Sequence, residues 1–212
     1  MGKDFVDLFN QWAVTYDRTV AGFDLEYQEA FFRYDEILEE VANLCFGNVI
    51  EFGPGTGNLT KKLLAKQLFV IGVEPSSEMR KIAKGKLGKK VDFIEGDFFD
   101  FPQNIPIQTF ASSYAFHHLT DIEKADAIAL YSKILPVGGK IIFADTIFET
   151  REKHQEAITK ALNNKYHHLA QDLQTEYYTT IPVLSSIMEK NQLDVTFTRF
   201  NDFVWIMEAT KR

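Results

Sequence analysis

Apolar positions along the chain follow two different periods. Leu8, Trp12 and Tyr16 recur every four residues, and Phe31, Tyr34, Leu38 and Val41 form a second helical stripe, so residues 3–45 read as helices. From residue 48 the pattern changes to short apolar runs separated by amphipathic ones. NVIEF (48–52) reads as a strand, followed by a glycine-rich loop and the helical NLTKKLLAKQ (58–67). LFVIGVE (68–74) is nearly all apolar and rich in β-branched residues, as a parallel strand buried on both faces requires. SSEMRKIAKGKL (76–87) predicts a helix with Ser76 or Ser77 as its cap. KVDFIEGD, QTFASSYAF and GGKIIFADTIF supply a third, fourth and fifth strand, with the helix DIEKADAIALYSKIL between the last two. Residues 150–190 are helical and more polar. DVTFTRF and DFVWIMEAT then alternate at the period of a strand and meet at Asn201-Asp202, a tight-turn signal.

Strands alternating with helices predict an α/β fold with a mostly parallel sheet covered on both faces, and the closing hairpin adds an antiparallel strand. The 212 residues form one domain, divided into an N-terminal helical cap (1–45), a core (46–148), a helical insertion (149–191) and the hairpin (192–212).

Composition narrows the function classes. The net charge is −7 and no basic arm is present, which argues against a nucleic-acid partner held through phosphates. The densest basic run, Arg80 to Lys90, reads as a solvated helix face and loop. No apolar run is long enough for a bilayer, and the start of the chain lacks the pattern of a signal peptide, so a cytoplasmic location without membrane attachment is expected. The single cysteine, Cys45, excludes an intramolecular disulfide and reads as a small buried hydrophobe.

The glycine loop EFGPGTGNLT, Glu51 to Thr60, marks the ligand site, because ligands of open α/β sheets bind beyond the carboxyl ends of the strands. Gly53, Gly55 and Gly57 give G-x-G-x-G, and Asn58 stands where a dinucleotide fingerprint has its third glycine. Glu51 ends the first strand. A carboxylate there repels a pyrophosphate and favours a cationic ligand, which points to S-adenosylmethionine, with its sulfonium and ammonium, over NAD; capping loop amides is its other reading. Glu74, at the end of the second strand, suits the ribose hydroxyls of either cofactor. Asp97 ends the third strand and can accept from the amine of adenine, with Phe98 beside the ring.

VIEFGPGTGNLT, VIGVEPSSEMR, FIEGDFFDF, SSYAFHHL and LPVGGKIIFAD together resemble the successive motifs of the class I S-adenosylmethionine-dependent methyltransferases, in order and spacing through residues 48–145. Over its full length the chain is similar to a group of small bacterial methyltransferases with no assigned substrate. The resemblance implies a Rossmann-like, doubly wound seven-stranded sheet with an antiparallel last strand. It also implies that Gly53 and its neighbours face the methionine part, Glu74 the ribose and Asp97 the adenine. The family often has Asp where this chain has Glu51. WAVTYDRTV resembles the N-terminal helix that closes over the cofactor in many members, which brings Tyr16 and Trp12 into the expected site.

Methyl transfer needs an aligned acceptor and a dry site, and a general base only if the acceptor is protonated. His117 is the candidate base, and orienting the loop is the other reading of His117 and His118. Tyr114 is a candidate for the pocket wall. His167 and His168 lack a partner at zinc-ligand spacing, so no metal is expected. The expected activity is methylation of a small molecule. The alternatives are an NAD-dependent oxidoreductase and a regulatory protein that binds S-adenosylmethionine without transferring its methyl. The sequence does not fix the acceptor atom or the oligomeric state.

Overall fold

A computed structural model describes Asn10 and residues 12–212. Its elements are α1 (Tyr34–Leu44), β1 (Asn48–Phe52), α2 (Asn58–Ala65), β2 (Phe69–Val73), α3 (Ser77–Leu87), β3 (Asp92–Ile94), β4 (Thr109–Ser113), α4 (Asp121–Ile134), β5 (Lys140–Phe148), α5 (Arg151–Asn163), α6 (His167–Thr175), β6 (Thr179–Thr180), α7 (Ile181–Lys190), β7 (Leu193–Arg199) and β8 (Val204–Lys211). The main sheet runs β3-β2-β1-β4-β5-β8-β7, and β6 pairs with the far end of β5. β8 is antiparallel to both β5 and β7, and the other pairings are parallel. This is the expected α/β architecture. The reversed strand sits inside the sheet, with β7 at the edge.

The pleat sends alternate side chains of β1 to opposite layers. Val49 packs with Ile37, Leu38 and Val41 of α1 and Leu59 and Leu63 of α2. Ile50 and Phe52 face the other core with Phe110, Tyr131 and Phe143. The many phenylalanines concentrate there: the Phe52 ring lies 5.0 Å from Phe98 and 5.1 Å from Phe101. The expected cap at Ser76 forms, and Thr120 supplies another. The Ser76 hydroxyl accepts from the Met79 N–H at 3.2 Å, and Thr120 and Glu123 form a reciprocal capping box at the start of α4.

The N-terminal segment departs from a run of continuous helix. Tyr16–Arg18 and Thr19–Phe23 are two short helical turns, interrupted at Gly22 with φ 84°. α1 begins only after Arg33, which is itself left-handed at φ 63°. Phe31 therefore lies in a turn ahead of α1, not on it. Leu8 lies outside the described residues. The polar segment after β5 is three helices, and β6 ties it to the sheet through Ile147 and Phe148. Among the described residues, no helix is long and apolar enough to cross a membrane.

Candidate active site

The order β3-β2-β1-β4 places the topological switch beside β1, where chain crossovers diverge and leave a crevice at the strand ends. The loop from Gly53 to Gly57 lines it. Gly53 has φ 63°, its N–H donates to the Val73 carbonyl at 3.0 Å, and a Cβ there would meet that of Ala115 at 2.7 Å. Gly57, at φ 88°, precedes α2 and packs against Ala83 and Leu87 of α3. Gly53 thus lets the loop pass close to the β4 segment, and Gly57 lets α2 approach α3.

A cleft of about 550 Å³, open solvent included, lies above β1, β2 and β4. Its floor and sides are apolar, from Phe52, Val73, Met79, Phe98 and Ala115, and its carboxylates are Glu74 and Asp97. Among the described residues, no lysine or arginine lines it. Tyr16, Gly53 and Gly55 also reach it, so Gly53, Gly55, Glu74, Asp97, Phe98 and Tyr16 come together. The Glu74 carboxylate accepts from the N–H of Gly55 at 3.0 Å and of Ser76 at 2.8 Å. Burial raises its pKa to about 6 against those hydrogen bonds. Each of its oxygens keeps a second lone pair for a ligand hydroxyl. Burial also pushes Asp97 up, but the N–H groups of Phe99 and Asp100, at 2.8 and 3.0 Å, hold it below the usual carboxylate range. Tyr114, at the end of β4, takes the left-handed conformation at φ 53°, and its N–H donates to the Ala144 carbonyl. This bend brings Tyr114 to the cleft wall.

Glu51 and Gly57 are placed differently from the expectation. Glu51 shares the face of Val49, so its side chain points under the loop toward α2. It is 1% exposed and does not line the cleft. One oxygen lies 2.6 Å from the Thr60 hydroxyl, and among the described residues Oε1 has no hydrogen-bond partner. Burial, helped by the nearby Glu74, pushes its pKa up to about 8, so the carboxyl is largely protonated near neutral pH. Gly57 is a packing position behind the loop.

The two neighbouring histidines diverge. His117 turns from the cleft into a smaller cavity beside Lys124 and Asp145. Its Nδ1 lies 2.6 Å from Asp145 Oδ1, and its backbone N–H donates to Oδ2 at 3.0 Å. Burial disfavours its charge, but the Asp145 carboxylate prevails and raises its pKa. His118 lines the cleft instead, with Nδ1 3.0 Å from Glu176 Oε2. Burial and the adjoining His117 lower its pKa, against the pull of Glu176. Lys124, buried in α4, donates to the carbonyls of Leu119 and Tyr177, and the Tyr177 N–H donates to the His117 carbonyl at 3.1 Å. These bonds clasp the segment carrying Glu176 to the segment carrying the histidines. His117, His118 and Glu176 bring donor atoms within 4.8 Å of one another, a spacing that admits a metal ion. The positive Lys124, which acts on His117, opposes a cation there.

The N-terminal turn closes one side. Asp17 accepts from the Thr56 hydroxyl at 2.6 Å and the Asn58 amide at 3.1 Å, and it pairs with Lys86 of α3. Tyr16 forms a wall shared by the cleft and a second cavity of about 1520 Å³, open solvent included, between this turn and α6. Trp12 lines only the second cavity. Sequence reading missed Asp17, Asp172 and Glu176. Asp172 and Glu176 stand in a segment without a motif, and Asp17, inside WAVTYDRTV, gains its partners only through tertiary packing.

A methyltransferase-domain family model matches residues 49–139, which hold the glycine loop, both cleft carboxylates and the histidine pair. An uncharacterized methyltransferase of Bacillus cytotoxicus is 57% identical over all 212 residues, covering the whole of both chains. One from Bacillus mycoides is 56% identical with the same coverage. Among solved structures, magnesium protoporphyrin IX methyltransferase from Synechocystis with bound S-adenosylhomocysteine superposes with a TM-score of 0.72 at 17% identity, covering all of both chains, which speaks to the fold. With its switch-point cleft, its reversed strand and relatives matched end to end, the chain belongs to the class I S-adenosylmethionine-dependent methyltransferases.

Proposed function

We propose that the chain binds S-adenosylmethionine in the cleft above β1 and β2 and methylates a small molecule held in the adjoining cavity. The observation that carries this reading is the cleft's lining: among the described residues, an apolar slot with two carboxylates and no lysine or arginine. Such a slot suits an adenosine with a cationic tail, and its described lining offers no lysine or arginine to a pyrophosphate, which speaks against NAD. Bound there, S-adenosylmethionine would supply a methyl already activated on a sulfonium.

The chain's part is to position and to manage a proton. Glu74 would hold the ribose hydroxyls and Asp97 the adenine amine, beside Phe98. Gly53 and Gly55 give backbone access to the methionine part. Glu51, behind the loop, would act on that part only through the field of its buried carboxyl. Tyr16 and the turn held by Asp17 screen the site from water. His118 is the group suited to general base: burial keeps its ring neutral, and Glu176 can stabilise the cation formed when it takes a proton. His117, bound to Asp145 through both ring and backbone, is a positioning residue.

Calorimetry tests this directly. S-adenosylhomocysteine should bind and NADH should not. Glu74→Ala should weaken binding by about ten- to a hundred-fold, since about 1.4 kcal/mol is tenfold. NADH binding in preference to S-adenosylhomocysteine would refute the assignment. Release of labelled S-adenosylhomocysteine on incubation with cell extract separates a transferase from a regulatory binder.

A further inference from the structure

The second cavity meets the cleft across Tyr16, and Glu176 reaches it while partnering the cleft-lining His118. That continuity makes it the place for the methyl acceptor, an argument that rests on the donor assignment above. Its walls then define the acceptor's chemistry. Trp12, Tyr27 and Phe31 present aromatic surface; Asp24, Asp172 and Glu176 present carboxyls; and among the described residues no lysine or arginine lines it.

The carboxyls have little protein counter-charge. Asp172 accepts a hydrogen bond from the Tyr27 hydroxyl, and Asp24 from the Glu26 N–H at 3.1 Å. Among the described residues neither is ion-paired to lysine or arginine. Burial, and then the neighbouring Glu176, raises the pKa of Asp172, against the Tyr27 hydroxyl and the weaker pull of His117 and of His168, which also lines the cavity. An anionic acceptor would meet like charge on several sides, which an interface penalises heavily. A cation beside Trp12 and Tyr27 meets both carboxylates and ring faces.

We propose that the acceptor is a primary or secondary amine on an aromatic or other flat apolar body, and that the chain is an amine N-methyltransferase. The amine enters as an ammonium. It must lose one proton before its nitrogen can act as a nucleophile, and His118 beside Glu176 receives that proton, leaving a neutral amine and an imidazolium facing a carboxylate; the nitrogen lone pair would then form the N–CH3 bond as the S–CH3 bond breaks, its electron pair staying on sulfur as a neutral thioether and the positive charge passing to the methylated nitrogen.

Protein saturated with S-adenosylhomocysteine should be titrated, by calorimetry, with two matched triplets. One is 2-phenylethylamine, 2-phenylethanol and phenylacetate; the other is tryptamine, tryptophol and indole-3-acetate. The amine should bind at least about tenfold tighter than the alcohol and the carboxylate in at least one triplet. The double variant Asp24→Asn with Asp172→Asn should erase that preference while S-adenosylhomocysteine binds as before. The inference falls if a carboxylate binds as tightly as its amine, or if no member of either triplet binds to the loaded protein. It falls also if the double variant keeps the preference. If S-adenosylhomocysteine itself does not bind, the donor assignment fails, and the acceptor class with it. Should the double variant not fold, the wild-type triplets decide.

Discussion

Asp17 is the clasp between the N-terminal turn and the glycine loop, and its removal should open the site. The carboxylate accepts from Thr56 and Asn58 and pairs with Lys86. Burial works against its charge, but these three partners lower its pKa, so it is ionised at all pH values near neutrality. A hydrogen bond to a charged group contributes roughly 1.5–3 kcal/mol when sheltered. Asp17 keeps 45% of its side chain exposed, so the three together are discounted to about 1–2 kcal/mol. Thr56, only 1% exposed, loses its acceptor in Asp17→Ala and adds a desolvation cost unless the turn swings away to admit water. The open fraction should therefore rise about tenfold, with the sheet unaffected. Trp12 emission in a Trp205→Phe background and hydrogen exchange of residues 12–33 measure it: Asp17→Ala should speed exchange there, and S-adenosylhomocysteine should slow it again. The clasp reasoning fails if exchange of this segment is unchanged while the variant is folded. It also fails if the loss of protection is global, because the turn would then be permanent core and not a cover.

Three further outcomes follow from the buried Glu51 and the two histidines. Glu51 titrates near 8 when folded and at about 4.3 when unfolded, so between those values the folded chain holds the extra proton and stability falls as pH rises. Its contribution is at most about 1.4 kcal/mol per pH unit; Glu51→Gln should gain on the wild type in denaturant midpoint from pH 5 to 8, and parallel pH profiles would refute this. His118→Ala should lower turnover by roughly 10²–10⁴ with donor affinity nearly intact. His117→Ala should instead lower stability together with rate, because the buried Asp145 loses its partner; full turnover in His118→Ala would remove that ring from proton transfer.

The part of the site that was legible in the sequence is the part built from local order. Strand ends follow apolar runs, so Glu74, Asp97, Gly53 and Gly55 could be placed from the chain alone. Glu51 was placed at the correct strand end but on the wrong side of the sheet for contact, because β1 is buried on both faces and its sequence does not reveal which layer a side chain enters. His117 and His118 could not be told apart for a related reason. They are consecutive on one short turn, and their roles are set by Asp145 and Glu176, 28 and 58 residues away. The cap was least legible, since its turns are held by Asp17, Gly22 and Arg33 and not by a periodic stripe.

The place of β8 bears on how the chain is made. It follows β7 in sequence but lies between β7 and β5. During synthesis β1 to β5 can assemble as soon as they emerge, whereas β7 has no neighbour until β8 exists. Throughout that interval β5, buried from Ile141 to Phe148 in the finished protein, presents a long apolar edge. A nascent chain stalled in the β7–β8 turn thus carries a nearly complete switch-point cleft and an adhesive border at once, and sealing it depends on the hairpin folding back as a unit.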